Sequence, residues 1–139
     1  MKMKVQLLIE KAKTFIKFSI VGFSGVVVNM GLLWIFVEIF RWDKRIAGAV
    51  SIEISIINNF LWNNYWTWKG RRGISFLNRF IRYNLITLIT SAIFNYLLYI
   101  FLLHFGVNYL VAQMAGITIA VLINFVLFEK FVFISDVWR

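Results

Sequence analysis

The chain has 139 residues, of which 61% are hydrophobic and 15% charged, and its mean hydropathy is +0.80. A water-soluble domain of this size could not cover so much apolar surface, so a bilayer is the better solvent. Fifteen Lys and Arg stand against six acids for a net charge of +9; the absence of Cys excludes disulfides, thiolate chemistry and cysteine-ligated metals, and the absence of Pro excludes proline kinks.

The first segment, residues 1–17, carries Val5, Leu8, Ile9, Ala12, Phe15 and Ile16 at helical spacing with lysines between them, which predicts a basic amphipathic helix on the membrane surface. Lys11, Lys13 and Lys17 run up to the first apolar stretch with no small-residue cleavage site, so the segment is expected to stay attached rather than act as a signal peptide. A hydrocarbon core about 30 Å thick needs about 20 apolar residues per helix. By that measure four spans are predicted near 18–40, 46–66, 83–105 and 109–128, a transmembrane domain over 18–128, with a short cytoplasmic tail at 129–139. The expected fold is an all-α membrane protein of four transmembrane helices.

Twelve of the cations fall on one side of such spans: Lys2, Lys4, Lys11, Lys13 and Lys17; Lys69, Arg71, Arg72, Arg79 and Arg82; Lys130 and Arg139. Only Arg41, Lys44 and Arg45 fall on the other. The excess of positive charge predicts a cell-membrane protein with both termini and the middle loop in the cytoplasm.

Shifting the sequence by 65 residues lays "FIKF" (15–18) on "FIRY" (80–83) and "NNFLWNNYWTW" on "INFVLFEKFVF", matching Asn59-Phe60 to Asn124-Phe125; Asn29 and Asn95 correspond with one inserted residue. The chain therefore reads as a duplicated two-helix unit, its copies related by an axis along the membrane normal. Within the repeat, Ala47, Ser51, Ser55 and Asn59 lie four apart on one helix face, and the shifted set is Ala112, Gly116, Ala120 and Asn124. Small residues at this spacing let helices approach closely in lipid, and a terminal asparagine adds an interhelical hydrogen bond, so both stripes are predicted to pack helices.

The blocks "VGFSGVVVN", "SIEISIINNFLWNNYWTW" and a later "NF...FVF" together resemble the GtrA-like family of four-span membrane proteins, over nearly the whole chain from Phe15 to Phe133. The second block is similar to the form found when such a domain is fused behind a polyprenyl-phosphate glycosyltransferase. The resemblance implies handling of polyprenyl- or dolichyl-phosphate-linked monosaccharides: flipping them across the membrane for surface-polymer or glycoprotein synthesis, or anchoring and organising a separate glycosyltransferase without catalysis.

Against that background, Glu53 has two readings. It is a protonated or hydrogen-bonded group at a helix contact, or it lines a polar route for a sugar head group. Asn63 and Asn64, near the cytoplasmic interface, are candidates for contact with a sugar or phosphate, or an ordinary wet helix end. Arg79 and Arg82 are the better phosphate candidates of the basic cluster, because a guanidinium grips phosphate through two parallel bonds. Lone His104 carries no assignment. No cofactor or metal is expected, and Asp43 and Asp136 lie too far apart to hold a nucleotide-sugar metal, so the chain is not expected to be an enzyme. Charge that hugs membrane ends excludes a nucleic-acid groove. A four-helix exporter built around an intramembrane glutamate fits less well than either lipid-sugar reading. The expected partners are membrane lipids, a polyprenyl-phosphate-linked sugar, and a homo-oligomer or membrane-associated glycosyltransferase, because one bundle has little interior in which to hide so many polar groups.

Overall fold

A computed structural model describes residues 2–135, apart from the side chains of 109, 110 and 113; Asp136, Arg139 and the end of the predicted tail lie outside the described residues. The chain divides into two compact units, Met1–Gly70 and Arg71–Arg139. In unit 1, helix α1 (Lys2–Trp34) continues as a π-helical turn, Ile35–Ile39, and α2 (Lys44–Trp62) continues as another, Asn63–Thr67. In unit 2, α3 (Phe76–Thr90), a π-helical stretch (Ser91–Leu97) and α4 (Leu98–His104) follow one another without interruption, and α5 (Tyr109–Leu127) ends in a π-helical turn, Phe128–Val132.

Local chemistry sets the ends. The Asp43 carboxylate caps α2 by accepting from the backbone N–H of Arg45 at 2.9 Å and of Ile46 at 3.4 Å. Ser75 caps α3 by accepting from the N–H of Asn78 at 3.3 Å. Gly70 (φ +85°) and Gly106 (φ +75°) take the left-handed conformation that ends a helix at little steric cost.

Two features of the helices bear on the expected spans. From Lys2 onward the lysine-spaced turns and the apolar ones are one continuous helix, since α1 runs unbroken through 17/18. Among the described residues, three helices are long and apolar enough to cross a membrane: Lys2–Ile39, Phe76–His104 and Met114–Val132. The helix left out is α2, whose length suffices but whose Lys44, Arg45, Glu53, Asn58 and Asn59 dilute its apolar character. Without proline, the irregularity of these helices comes from π-helical turns, whose wider spacing interrupts the i to i−4 ladder.

Several contacts recur in the two units at the 65-residue offset. Phe18 meets Trp68 with ring centroids 5.7 Å apart, and Tyr83 meets Phe133 at 6.3 Å. The π turns close alike: Trp68 N–H donates to the Asn63 carbonyl at 2.9 Å and Phe133 N–H to that of Phe128 at 2.8 Å. Ala47, Ser51 and Ser55 are buried, and so are Ala112, Gly116 and Ala120. Each stripe ends on an asparagine that reaches the preceding helix of its unit. Asn59 fills the space that a side chain at Gly25 would need, and Asn124 Oδ1 accepts from Thr90 Oγ1 at 2.6 Å. Gly25 and Thr90 are themselves 65 residues apart. A double-mutant cycle on Thr90→Val and Asn124→Leu, read by thermal unfolding in detergent, is expected to return a coupling of about 0.6–1.7 kcal/mol, between the average and the maximum for interhelical hydrogen bonds in a membrane protein. Strict additivity would mean that the contact contributes nothing to packing.

Candidate functional site

The sequence-predicted polar residues divide between the units. In unit 1, Glu53 stands exposed near the middle of α2, away from the buried face of Ala47, Ser51 and Ser55, and forms no ion pair among the described residues. Five residues later Asn58 donates to Asn59 Oδ1 at 3.4 Å. Asn63 and Asn64 are 1% and 7% exposed, and Asn63 Oδ1 accepts from Thr67 Oγ1 at 2.8 Å within the π turn. Glu53 and Asn64 therefore do not share one open surface, although they are 11 residues and about three turns apart. Beside this turn Lys17 Nζ lies 5.8 Å from the centre of the Trp66 ring, within cation–π range. A groove of about 380 Å³ lined by Ile20, Val21, Ser24, Trp62 and Trp66 adjoins it.

In unit 2 the two candidate arginines have different surroundings. Arg79 is 4% exposed; its guanidinium donates to the Ile74 carbonyl and lies 5.9 Å from the centre of the Phe76 ring. Arg82 is exposed and uses one N–H on the Phe131 carbonyl at 3.0 Å. That contact is the counterpart of Lys17 over Trp66, since both members are displaced by 65. Arg71 and Glu129 form a partly exposed ion pair at 3.1 Å, and the Gly73 N–H donates to the Ile134 carbonyl at 3.1 Å; together they hold the start of the unit against its last helical turn.

Two further residues stand out that were not among the predicted binding residues. The side-chain carbonyl oxygens of Asn29 and Asn95 are buried and have no hydrogen-bond partner among the described residues. A buried polar atom left unpaired costs about 1–3 kcal/mol, so its repetition at corresponding places in both units is not incidental. The sequence signal was present in the Asn29 and Asn95 match, but unpaired burial is a tertiary property.

Comparison with known proteins gives the arrangement a setting. The family model described as "GtrA/DPMS, transmembrane domain" matches residues 17–133. A Pyrococcus furiosus protein named dolichol-phosphate mannosyltransferase is 40% identical over 112 residues, which are 81% of this chain and 31% of that protein, so the chain spans about a third of its length. An uncharacterised membrane protein of Bacillus subtilis, YngA, is 27% identical over 117 residues, 84% of this chain and 77% of that one. With the family model covering all but the ends of a chain in which three of the described helices have membrane-spanning length and apolarity, this all-helical membrane protein belongs to the GtrA/DPMS transmembrane-domain family.

Proposed function

We propose that the protein carries a monosaccharide, linked through phosphate to an isoprenoid chain, across the membrane for surface-polysaccharide or glycoprotein synthesis. The observation that carries this reading is the 40% identity to a protein named for dolichol-phosphate mannosyl transfer, confined to the portion of that protein that this chain matches. The isoprenoid tail already prefers lipid; the phosphate and hydroxyls are what must cross about 30 Å of hydrocarbon. In this reading Arg82, exposed in the second turn of α3, is the candidate for capturing phosphate in unit 2, and Glu53, exposed near the middle of α2, is the candidate acceptor for a sugar hydroxyl in unit 1. Arg79, Asn63 and Asn64, all buried, hold the surrounding backbone in position, with Asn63 bonded inside its own π turn.

The same reading takes α2 as a fourth span, with both termini cytoplasmic. Two features support it: α2 and its π turn run from Lys44 to Thr67, long enough to cross, and they repeat the contacts of α5 at the 65-residue offset. The family's other reading, a noncatalytic organiser of a glycosyltransferase, is favoured by one fact, that the Pyrococcus relative is about three times as long as the matched region. Purified protein in liposomes, assayed for movement of a polyprenyl-phosphate-sugar with and without a partner enzyme, separates the two. Movement by the protein alone supports translocation; its absence, together with stimulation of sugar transfer by an added enzyme, supports the organiser.

Orientation has its own check. Both Asn78 and His104 are exposed, and the chain has no cysteine of its own. In intact cells an impermeant thiol reagent is expected to label Cys introduced at 104 and to spare Cys introduced at 78. Labelling at 78 would remove the cytoplasmic assignment of the middle loop.

A further inference from the structure

The turn between α1 and α2 carries Arg41, Lys44 and Arg45, the three cations that fall opposite the other twelve. Translocated Lys and Arg run against the charge bias that sets topology, so their clustering in one short turn needs a cause. The backbone supplies a second observation. Arg41 is the only non-glycine residue with positive φ (+57°) among the described residues, a conformation that side chains with a Cβ rarely adopt.

The turn is held in this strained form by its neighbours. The Phe36 and Trp42 rings stack 4.6 Å apart at 15°, and Phe40 lies 6.2 Å from Phe36. The Trp42 N–H donates to the Phe36 carbonyl at 2.9 Å, and Asp43 is occupied in capping α2. The backbone at Arg41 is thereby held, and its side chain is 80% exposed, 3.9 Å from Glu38. Glu38 and Lys44 line a groove of about 410 Å³ whose other walls are Trp34 and the apolar Met30, Leu33 and Val37, with Gly48 at its edge. That volume is within the roughly 300–1,000 Å³ of small-ligand sites.

Resting on the translocation reading above, we infer that this groove is a second station for the substrate, at the non-cytoplasmic end of unit 1. Lys44 and Arg41 receive the phosphate, Glu38 accepts from sugar hydroxyls, Trp34 offers a ring face to the sugar, and the apolar wall follows the isoprenoid chain. An ammonium and a forked guanidinium meet the charge of a phosphate; one carboxylate beside them meets hydroxyl donors; an aromatic ring and aliphatic side chains meet the rest of an amphipathic head and tail. A crossing substrate needs a receiving site as well as a capturing one. Arg82 in unit 2 and Lys17 in unit 1 lie on the sequence side opposite this turn, so the chain has basic groups for both ends of the journey.

The test uses the full chain in nanodiscs, photolabelled by a short isoprenyl phosphate carrying a diazirine, with the corresponding isoprenol as control and labelled peptides mapped by mass spectrometry. Labelling within 30–48 is expected to prefer the phosphate probe and to persist when phosphatidylglycerol replaces phosphatidylcholine. It is expected to fall about tenfold in Arg41→Gly and in Lys44→Gln, the loss of one charge-assisted contact. Arg41→Gly keeps the left-handed backbone without strain, so its thermal stability should equal or exceed that of the parent, while Arg41→Lys, which restores a charge, should recover part of the labelling. Unchanged labelling in both charge-removing variants overturns the inference, and so does loss of labelling in phosphatidylglycerol, which would make the groove a general anionic-lipid contact. If peptides covering 69–82 prefer the phosphate probe and 30–48 do not, the second station falls and the translocation reading stands; if neither region prefers it, both fall.

Discussion

Gly116→Ala is expected to lower the thermal stability of the folded protein by about 1–3 kcal/mol, whereas Gly31→Ala is expected to leave it unchanged or raise it by up to about 1 kcal/mol. The two glycines are chemically identical and differ only in what a methyl group would meet. At Gly116 an added Cβ lies 2.5 Å from the Phe94 carbonyl oxygen, 3.4 Å from its carbon and 3.6 Å from the Asn95 Cα. These are backbone atoms of the π-helical stretch Ser91–Leu97, so no rotamer change can make room and the helices must separate. In lipid, association rests on close packing, so separation forfeits dispersion contacts that no hydrophobic force replaces. At Gly31 nothing lies within 4 Å of the added atom, and alanine's better helix propensity is the only term left. Gly25 should fall between them, because its obstacle is the tip of the Asn59 side chain, which can rotate away. Thermal unfolding of the three alanine variants in one detergent orders them, and equal stability for Gly116→Ala and Gly31→Ala would remove the close approach of α5 to Phe94.

That contact also marks how far the sequence could be read. The four-residue spacing of Ala47, Ser51 and Ser55 and of Ala112, Gly116 and Ala120 pointed to buried faces because helical geometry fixes which residues share a side. The repeat was legible for the same reason: Phe18 and Trp68, Gly25 and Asn59, and Lys17 and Trp66 each have a partner pair 65 residues on. The unbroken α1 was not legible, since alternating lysines and apolar residues suit a surface helix and the first turns of a longer one equally. At α2 the apolar run is diluted by Lys44, Arg45, Glu53 and the asparagines within it, so composition separates it less sharply than the three helices apolar enough to cross a membrane. Of the candidate site, the residue types were readable and their exposure was not. Arg79 and Arg82 are three apart in one helix, yet one is buried against Ile74 and Phe76 and the other is exposed. The π turns left no trace in composition, and they decide how Asn63 and Asn64 are held.

The largest functional effect is expected at Glu53. It lies nine residues beyond Lys44, about 14 Å along α2 at 1.5 Å per residue, and its side chain is exposed rather than packed in unit 1. A charged group near the centre of a spanning helix costs about 2.5–3.5 kcal/mol on insertion scales. With α2 a span, as proposed, Glu53→Leu removes that cost and breaks no ion pair among the described residues, so folded stability should hold or rise. Translocation should move the other way. A sugar hydroxyl that loses its acceptor in a low-dielectric passage pays at least the roughly 1–3 kcal/mol of an unpaired buried donor, and each 1.4 kcal/mol on the barrier slows passage about tenfold. Glu53→Leu is therefore expected to be as stable as the parent and at least about fivefold to tenfold slower in liposomes at equal reconstituted protein. Glu53→Gln keeps an acceptor oxygen and the side-chain shape while removing the charge: retained transport would make Glu53 a hydrogen-bonding step, and transport lost in both variants would make its charge or proton part of the passage. A merely structural glutamate predicts the opposite pattern, reduced stability in the leucine variant with transport per folded protein unchanged, and that result would take Glu53 out of the path.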